Sequence, residues 1–279
     1  MHYCLDGGVH CIGGIMTTRS LLVSGVLFFS LLAAGLVWAE EPVKDVEPYV
    51  ATFAYTPSTE KSPNSQGITV AVAKASFLAS RTHGADADEL WAYQLKVLGK
   101  ADPSTGEMLW FAFPQFYNLS AGLRRGVAEL LFAKGISVRG PYESYESIPA
   151  ADKNAIDFYF IPKMKLVFTK HSNKFKRGDD TIDTNIEVSG TILLEAQNMT
   201  TRESLWTRTV SLEKIVFTSR MPSSGFSTND RFNSIMNEVA KGIERQYQTL
   251  MSSVSGSIDS QEMRSLKEGV AASKGKTGY

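Results

Sequence analysis

The stretch Asn185 to Ile215, NIEVSGTILLEAQNMTTRESLWTRTVSLEKI, constrains the fold most. Ile186, Val188, Ile192 and Leu194 recur at every second position, with Gly190 between them, and Glu187, Ser189, Thr191 and Glu195 occupy most of the alternate slots. A period of two gives one apolar and one wet face, because successive side chains leave a strand on opposite sides. Asn198 to Glu203 is a polar break, and Leu205 to Leu212 alternates again, so the segment reads as a strand, a short turn and a returning strand.

Other segments supply neighbours for this hairpin. Ile68 to Phe77 is a β-branched run that reads as a strand, and Tyr49 to Tyr55 alternates weakly as a first strand. Asn118 to Lys134 is a helix whose stripe is Leu119, Leu123, Val127, Leu130 and Leu131. Asn118 or Ser120 can cap its start, Gly135 follows as a C′ glycine, and Ile136 to Val138 then reads as a strand. Pro141 to Lys153 reads as a loop. Ala155 to Thr169 is a long aromatic and β-branched strand, in which Pro162 must sit at a bulge or an edge for want of an amide donor.

Ser227 to Val254 is the second long helix, with Phe232, Ile235, Met236, Val239, Ile243, Tyr247, Leu250 and Val254 on one face and a capping box from Ser227 and Asp230. Ser80 to Pro114 admits two readings. Asp86 to Leu98 carries a helical stripe, but cleaner alternation favours a hairpin of Leu90 to Leu98 and Met108 to Phe113 about the Asp102–Gly106 turn. The elements sum to a single α+β domain, a mainly antiparallel sheet with two long amphipathic helices packed on it.

Residues 1–39 read as a signal peptide. Arg19 precedes the apolar run Leu21 to Leu36, and Val37-Trp38-Ala39 suits cleavage after Ala39. The alternative is an uncleaved anchor, since the run approaches the roughly 18 residues that span a bilayer. Met16 offers an alternative start. Residues 40–67 read as leader and loop, 68–254 as the folded domain, and 255–279 as a polar tail with a short helix from Ser260 to Lys267 and disorder beyond. Cys4 and Cys11 both precede the apolar run, so the exported chain is expected to carry no disulfide, no thiolate site and no lipid anchor. The expected location is the periplasm or the outer-membrane surface.

With 29 basic and 29 acidic side chains, the chain lacks the cationic excess that a nucleic-acid binder uses to neutralise phosphates. It contains no HExxH, phosphate-loop or GxSxG pattern. His83 and His171 lie in polar stretches without a distinctive partner. The acidic clusters Asp86, Asp88, Glu89 and Asp179, Asp180, Asp183 do not match the spacing of a calcium loop. No enzyme, no metal and no cofactor is expected. Asn118-Leu119-Ser120 and Asn198-Met199-Thr200 match the glycosylation pattern but are discounted, the first because it opens a helix.

The sharper feature is basic. Lys163, Lys165, Lys170, Lys174, Lys176 and Arg177 run without an acid until Asp179. As the tip of a hairpin, Lys170, Lys174, Phe175, Lys176 and Arg177 would hold a carboxylate or phosphate, with Arg177 as a bidentate grip and Phe175 as a stacking face. A solvated basic loop balanced by the aspartates that follow is the alternative.

These segments together resemble the neuraminyllactose-binding hemagglutinin family of Gram-negative envelope adhesins, also described as flagellar-sheath proteins. The carriers are Tyr55-x-Pro57-x-x-Glu60-Lys61, the helix–Gly135–strand unit, the strand ending Met164-Lys165-Leu166-Val167, the hairpin Val188 to Leu212 with Met199-x-x-x-Glu203-Ser204-Leu205 at its turn, and the helix from Asn229. The likeness runs from about Tyr55 to Lys276. It implies an extracytoplasmic α+β protein that binds sialylated glycans, with Lys170 to Arg177 at the place of the family's lysine-rich stretch. The residues there differ from the family's, the family's lipid-bearing cysteine is missing, and Ser80 to Pro114 looks like an insertion. The competing expectation is a structural accessory protein of the envelope or flagellum, acting through protein–protein contacts.

Overall fold

The structure is a computed structural model that describes residues 45–58, 64–77, 99, 109–176 and 180–276; for residues 168–176 the description concerns the backbone. Six strands form one mixed sheet: β1 (Thr69–Val72), β2 (Ser76–Phe77), β3 (Ser137–Arg139), β4 (Phe158–Lys176), β5 (Thr181–Asn198) and β6 (Ser204–Pro222). Their order is β3-β1-β4-β5-β6, with β2 also on β4. β4, β5 and β6 are antiparallel; the contacts of β1 with β3 and β4, and of β2 with β4, are parallel. The helices are α1 (Leu119–Ala133), α2 (Ala150–Ala155), α3 (Thr228–Gly256) and α4 (Ser260–Lys276). This is the α+β class that the pattern predicts, with a largely antiparallel sheet.

The alternation that defines the hairpin places Ile186, Val188, Ile192 and Leu194 in the core, all at most 2% exposed. The apolar faces of α1 and α3 close over them. Gly242 lets α3 approach the sheet, since a Cβ there would stand 1.8 Å from the Phe217 ring. Asn198 builds the β5–β6 turn: its side-chain oxygen accepts from the Thr200 and Thr201 amides at 2.7 and 3.2 Å. Gly135 leaves α1 at φ +80°, as its C′ position requires. A smaller cluster of Ala71, Ala73, Ile148, Ile156, Tyr159 and Met199 packs apart from this core.

Several expectations need correction. Tyr49 to Tyr55 joins no strand; it lies along α3 as a strap. Ile68 to Phe77 divides into β1 and β2. Pro162 falls between the β4 residues that β1 pairs and those that β2 pairs, a gap where no amide donor is needed on that edge. Asn118 takes the N-cap position of α1, but its side chain makes no capping hydrogen bond. Asn118 donates to the Ala51 carbonyl at 3.1 Å and Ser120 to the Ala75 carbonyl at 2.6 Å, so both hold neighbouring chain instead. The expected second arm of the 90–113 hairpin is a 3-10 turn, Trp110–Ala112, whose indole donates to the Leu166 carbonyl at 3.2 Å; the first arm lies outside the described residues. The supposed loop before β4 contains α2. The polar tail is helical to Lys276.

The strap is held by side chains of α3 in place of a strand ladder. The Val46 amide donates to Asp230 at 3.1 Å, the Tyr49 amide to Asn237 at 2.8 Å, the Thr52 amide to Glu244 at 2.6 Å and the Thr56 amide to Gln248 at 3.1 Å. Asn233, Asn237 and Gln248 donate back to the carbonyls of Val46, Glu47 and Thr56. A polar stripe at helical spacing therefore satisfies backbone that no strand reaches. Phe53 sits at φ +50°, an uncommon conformation for an aromatic residue, and its ring is fully buried, stacked on Phe116 with its edge to Tyr247.

Candidate functional site

The basic stretch is strand to its end. β4 continues through Lys176 and β5 begins at Thr181, so Lys170, Lys174, Phe175 and Lys176 are ladder residues, not a projecting loop; Arg177 lies outside the described residues. The sequence hid this continuation because His171 to Lys176 is polar at almost every position. Antiparallel pairing with Ile182 and Ile186, which a four-residue connection enforces, overrides that weak local signal.

A bulge decides what the lysines share. Phe168 pairs with Val188 and Lys170 with Glu187, so one β4 residue is left over at Thr169. Above it the odd positions Lys163 and Lys165 register with the odd positions of β5; below it the even positions Lys170, Lys174 and Lys176 do so. All five register positions thereby fall opposite Leu193, Thr191, Glu187, Asp183 and Thr181, the β5 positions of opposite parity to the core residues Ile186, Val188 and Ile192. Phe175 registers with Ile182, which pairs with buried Met221, and so takes the other parity. The register therefore separates the proposed stacking residue from the lysines.

The return of β6 brings in two cations that the reading of the sequence missed. Arg220 pairs with Asp183 in the ladder and grips its carboxylate at 2.6 and 3.1 Å. Lys214 binds Glu187 at 3.1 Å. Across the sheet this gives two rows, Lys174–Asp183–Arg220 and Lys170–Glu187 with Lys214 beyond, each with one acid between two basic positions. Thr218 donates to Asn185 at 2.7 Å between the rows. Val216, Thr218 and Arg220 are exposed, so this part of the face is open to solvent. Counting outward from the turn at Asn198 would have found Arg220 only with knowledge of two irregularities in β6, at Leu205 and at Glu213 and Lys214, because each unpaired residue moves every later partner.

At the upper end of the same face Lys163 binds Glu195 at 2.8 Å. Hydrogen bonds from Gln197 and then Lys163 hold the Glu195 carboxyl below its ordinary range. Asp183 is committed to Arg220. Of the other acids considered for a cation, Asp86, Asp88, Glu89 and Asp179 lie outside the described residues. His83 does too, and His171 is a β4 ladder residue opposite Ile186. Among the described residues, no group of three His, Cys, Asp or Glu side chains could hold a metal ion. No described helix is long and apolar enough to cross a membrane.

A concavity lies at the β3 end of the sheet. Tyr55, Thr56 and Pro57 of the strap, Ala128, Glu129, Phe132 and Ala133 of α1, and Val138 of β3 line an open cleft of about 470 Å³. Phe132 is 42% exposed there. The cleft is apolar apart from Glu129 and the strap's polar groups, so it suits an apolar side chain better than a sugar acid.

No family model matches the chain, and no curated protein matches it. Similar solved structures include a Helicobacter pylori protein described as a neuraminyllactose-binding hemagglutinin homolog, at 12% identity over 77% of this chain and 98% of that one, with a TM-score of 0.47. Protein XCC0632 from Xanthomonas campestris follows at 13% identity over 77% and 97%, with a TM-score of 0.29. Lipoprotein GNA1162 from Neisseria meningitidis is similar at 12% identity over 64% and 96%, with a TM-score of 0.17.

Proposed function

We propose that this protein is an exported, non-enzymatic binding protein whose ligand is an acidic glycan of the sialylated kind, taken on the open basic face where β4, β5 and β6 run together. The observation that supports this reading most is the pair of cross-strand rows, Lys174–Asp183–Arg220 and Lys170–Glu187 with Lys214, each with an excess of one cation. The acids hold two of the cations in place. The basic positions in excess of the acids suit a sugar carboxylate, with Thr218 and Asn185 between the rows to meet its hydroxyls. Export rests on the apolar run Leu21 to Leu36 and the Val37-Trp38-Ala39 that follows it.

Calorimetry with 3′-sialyllactose and with lactose tests this. Binding of the sialylated sugar alone, weakened at least tenfold by Lys170→Ala and by Lys174→Ala, is the expected result. Equal affinity for both sugars, or affinity untouched by the two substitutions, contradicts it.

The second reading is a structural accessory of the envelope or flagellum. The apolar cleft beside β3 supports it, because exposed Phe132 at its margin is the kind of anchor that protein interfaces use. Sialyllactose would then leave the protein unchanged, and Phe132→Ala would abolish its capture of envelope components.

A further inference from the structure

We propose that two copies of this chain join through β6, antiparallel edge to edge, in a register centred between Glu213 and Lys214. β6 is 19 residues long and stands last in the sheet. Among the described residues it pairs with β5 alone, so the amides and carbonyls of its other edge have no strand to meet. An edge of that length is a template for another strand unless something blunts it.

The feature that would blunt it is the bulge at Glu213 and Lys214, two residues set against Ser189 alone on β5. In a two-fold pairing the same bulge becomes the key. A register centred between residues 213 and 214 sets Glu213 of each copy opposite Lys214 of the other. It also keeps the strands in phase, since each half of β6 pairs with the half beyond the other copy's bulge, where the parity has shifted by one. Thr209 then meets Thr218 and Ser211 meets Val216 on the open face. Leu212 meets Ile215 and Val210 meets Phe217 on the helix side.

Val210 and Ile215 are only half-buried in one copy, and Val216 is 57% exposed. Pairing would cover all three. A register shifted by two would set Glu213 opposite Val216 or Leu212 and lose both ion pairs, so charge selects the centre. The contact is isologous and therefore closes at two copies. It also joins the two open faces into one continuous surface, without depending on what that surface binds.

The test is sedimentation velocity of the purified protein at tens of micromolar, with single and paired charge swaps. A dimer is expected for the native chain. Glu213→Lys should weaken it at least tenfold by facing lysine with lysine, and Glu213→Lys with Lys214→Glu should restore it. Circular dichroism confirms that each variant is folded. With Cys4 and Cys11 replaced by serine, Ser211→Cys with Val216→Cys should give a covalent dimer on mild oxidation, since both positions are exposed and face each other only across this edge. A monomer at these concentrations, or a dimer that ignores the charge swap and does not cross-link, overturns the proposal.

Discussion

Helices α3 and α4 follow one another in the chain and are held by opposite physics. α3 buries a continuous stripe, Met236, Val239, Ala240, Ile243, Tyr247, Met251 and Val254, all fully buried, in the main core. Among its described side chains α4 fully buries only Met263, and it is pinned by polar clasps. Glu262 accepts from the Trp206 indole at 3.0 Å and from Arg208 at 2.6 and 2.8 Å; Lys267 bonds the Gly67 carbonyl at 2.6 Å and Asp157 at 2.9 Å; Arg264 reaches Gln66 at 2.5 Å. Periodicity in a sequence reports apolar burial, so α3 is legible throughout, whereas only the first half of α4, Ser260 to Lys267, is. The partners of α4 lie on β6 and just before β1 and β4, far away in the chain, and nothing local announces them.

The contrast predicts a ladder of effects. The largest is in the stripe of α3. Ile243→Ala should cost about 2–5 kcal/mol, because it empties a site walled by sheet and helix that cannot collapse. Denaturant unfolding measures it, and a loss under 1 kcal/mol would mean that α3 is held as loosely as α4.

The polar stripe of the same helix comes next. Glu244 accepts from the Thr52 amide and hydroxyl and the Phe53 amide at 2.6, 2.7 and 3.4 Å, and from the Tyr49 hydroxyl. Burial pushes its carboxyl up, but these donors outweigh burial and hold it below the ordinary range. Its stabilisation is thus full above the unfolded carboxyl value of about 4.3 and is lost as pH falls through the folded value. Glu244→Ala should cost about 1–3 kcal/mol at pH 7 by stranding the strap's donors. Glu244→Gln should flatten the acid limb of the stability curve. Hydrogen exchange at Thr52 and Phe53 should accelerate in both variants, and unchanged exchange there would show that the strap does not depend on Glu244.

The smallest effect belongs to α4. Glu262→Ala should cost about 1 kcal/mol or less, since both partners are partly exposed, and the loss should shrink further in high salt. Trp206 fluorescence reports it directly, because the same substitution removes the indole's acceptor. A salt-independent loss of several kcal/mol would place α4 with α3.

The same division runs through the rest of the molecule. The β5–β6 hairpin and the stripes of α1 and α3 are legible because burial and periodicity coincide. The strap was misread as a strand because Ala51, Phe53 and Tyr55 alternate in burial while their backbone bonds go to helix side chains. The basic stretch was found, but its company was not. Its bulge at Thr169 sets Lys170, Lys174 and Lys176 in one register with Lys163 and Lys165, and Arg220 reaches Asp183 from a strand that two further irregularities displace. Bulges leave no fixed mark in a sequence, and each one moves every partner beyond it.

Amide hydrogen exchange with and without 3′-sialyllactose tests the central claim, that the protein works by presenting the open face of β4, β5 and β6 to an acidic sugar. New protection confined to residues 170–176, 183–187 and 214–220 is the predicted result. Protection at Tyr55 to Pro57 and Ala128 to Ala133 instead, or none anywhere at saturating sugar, would contradict it.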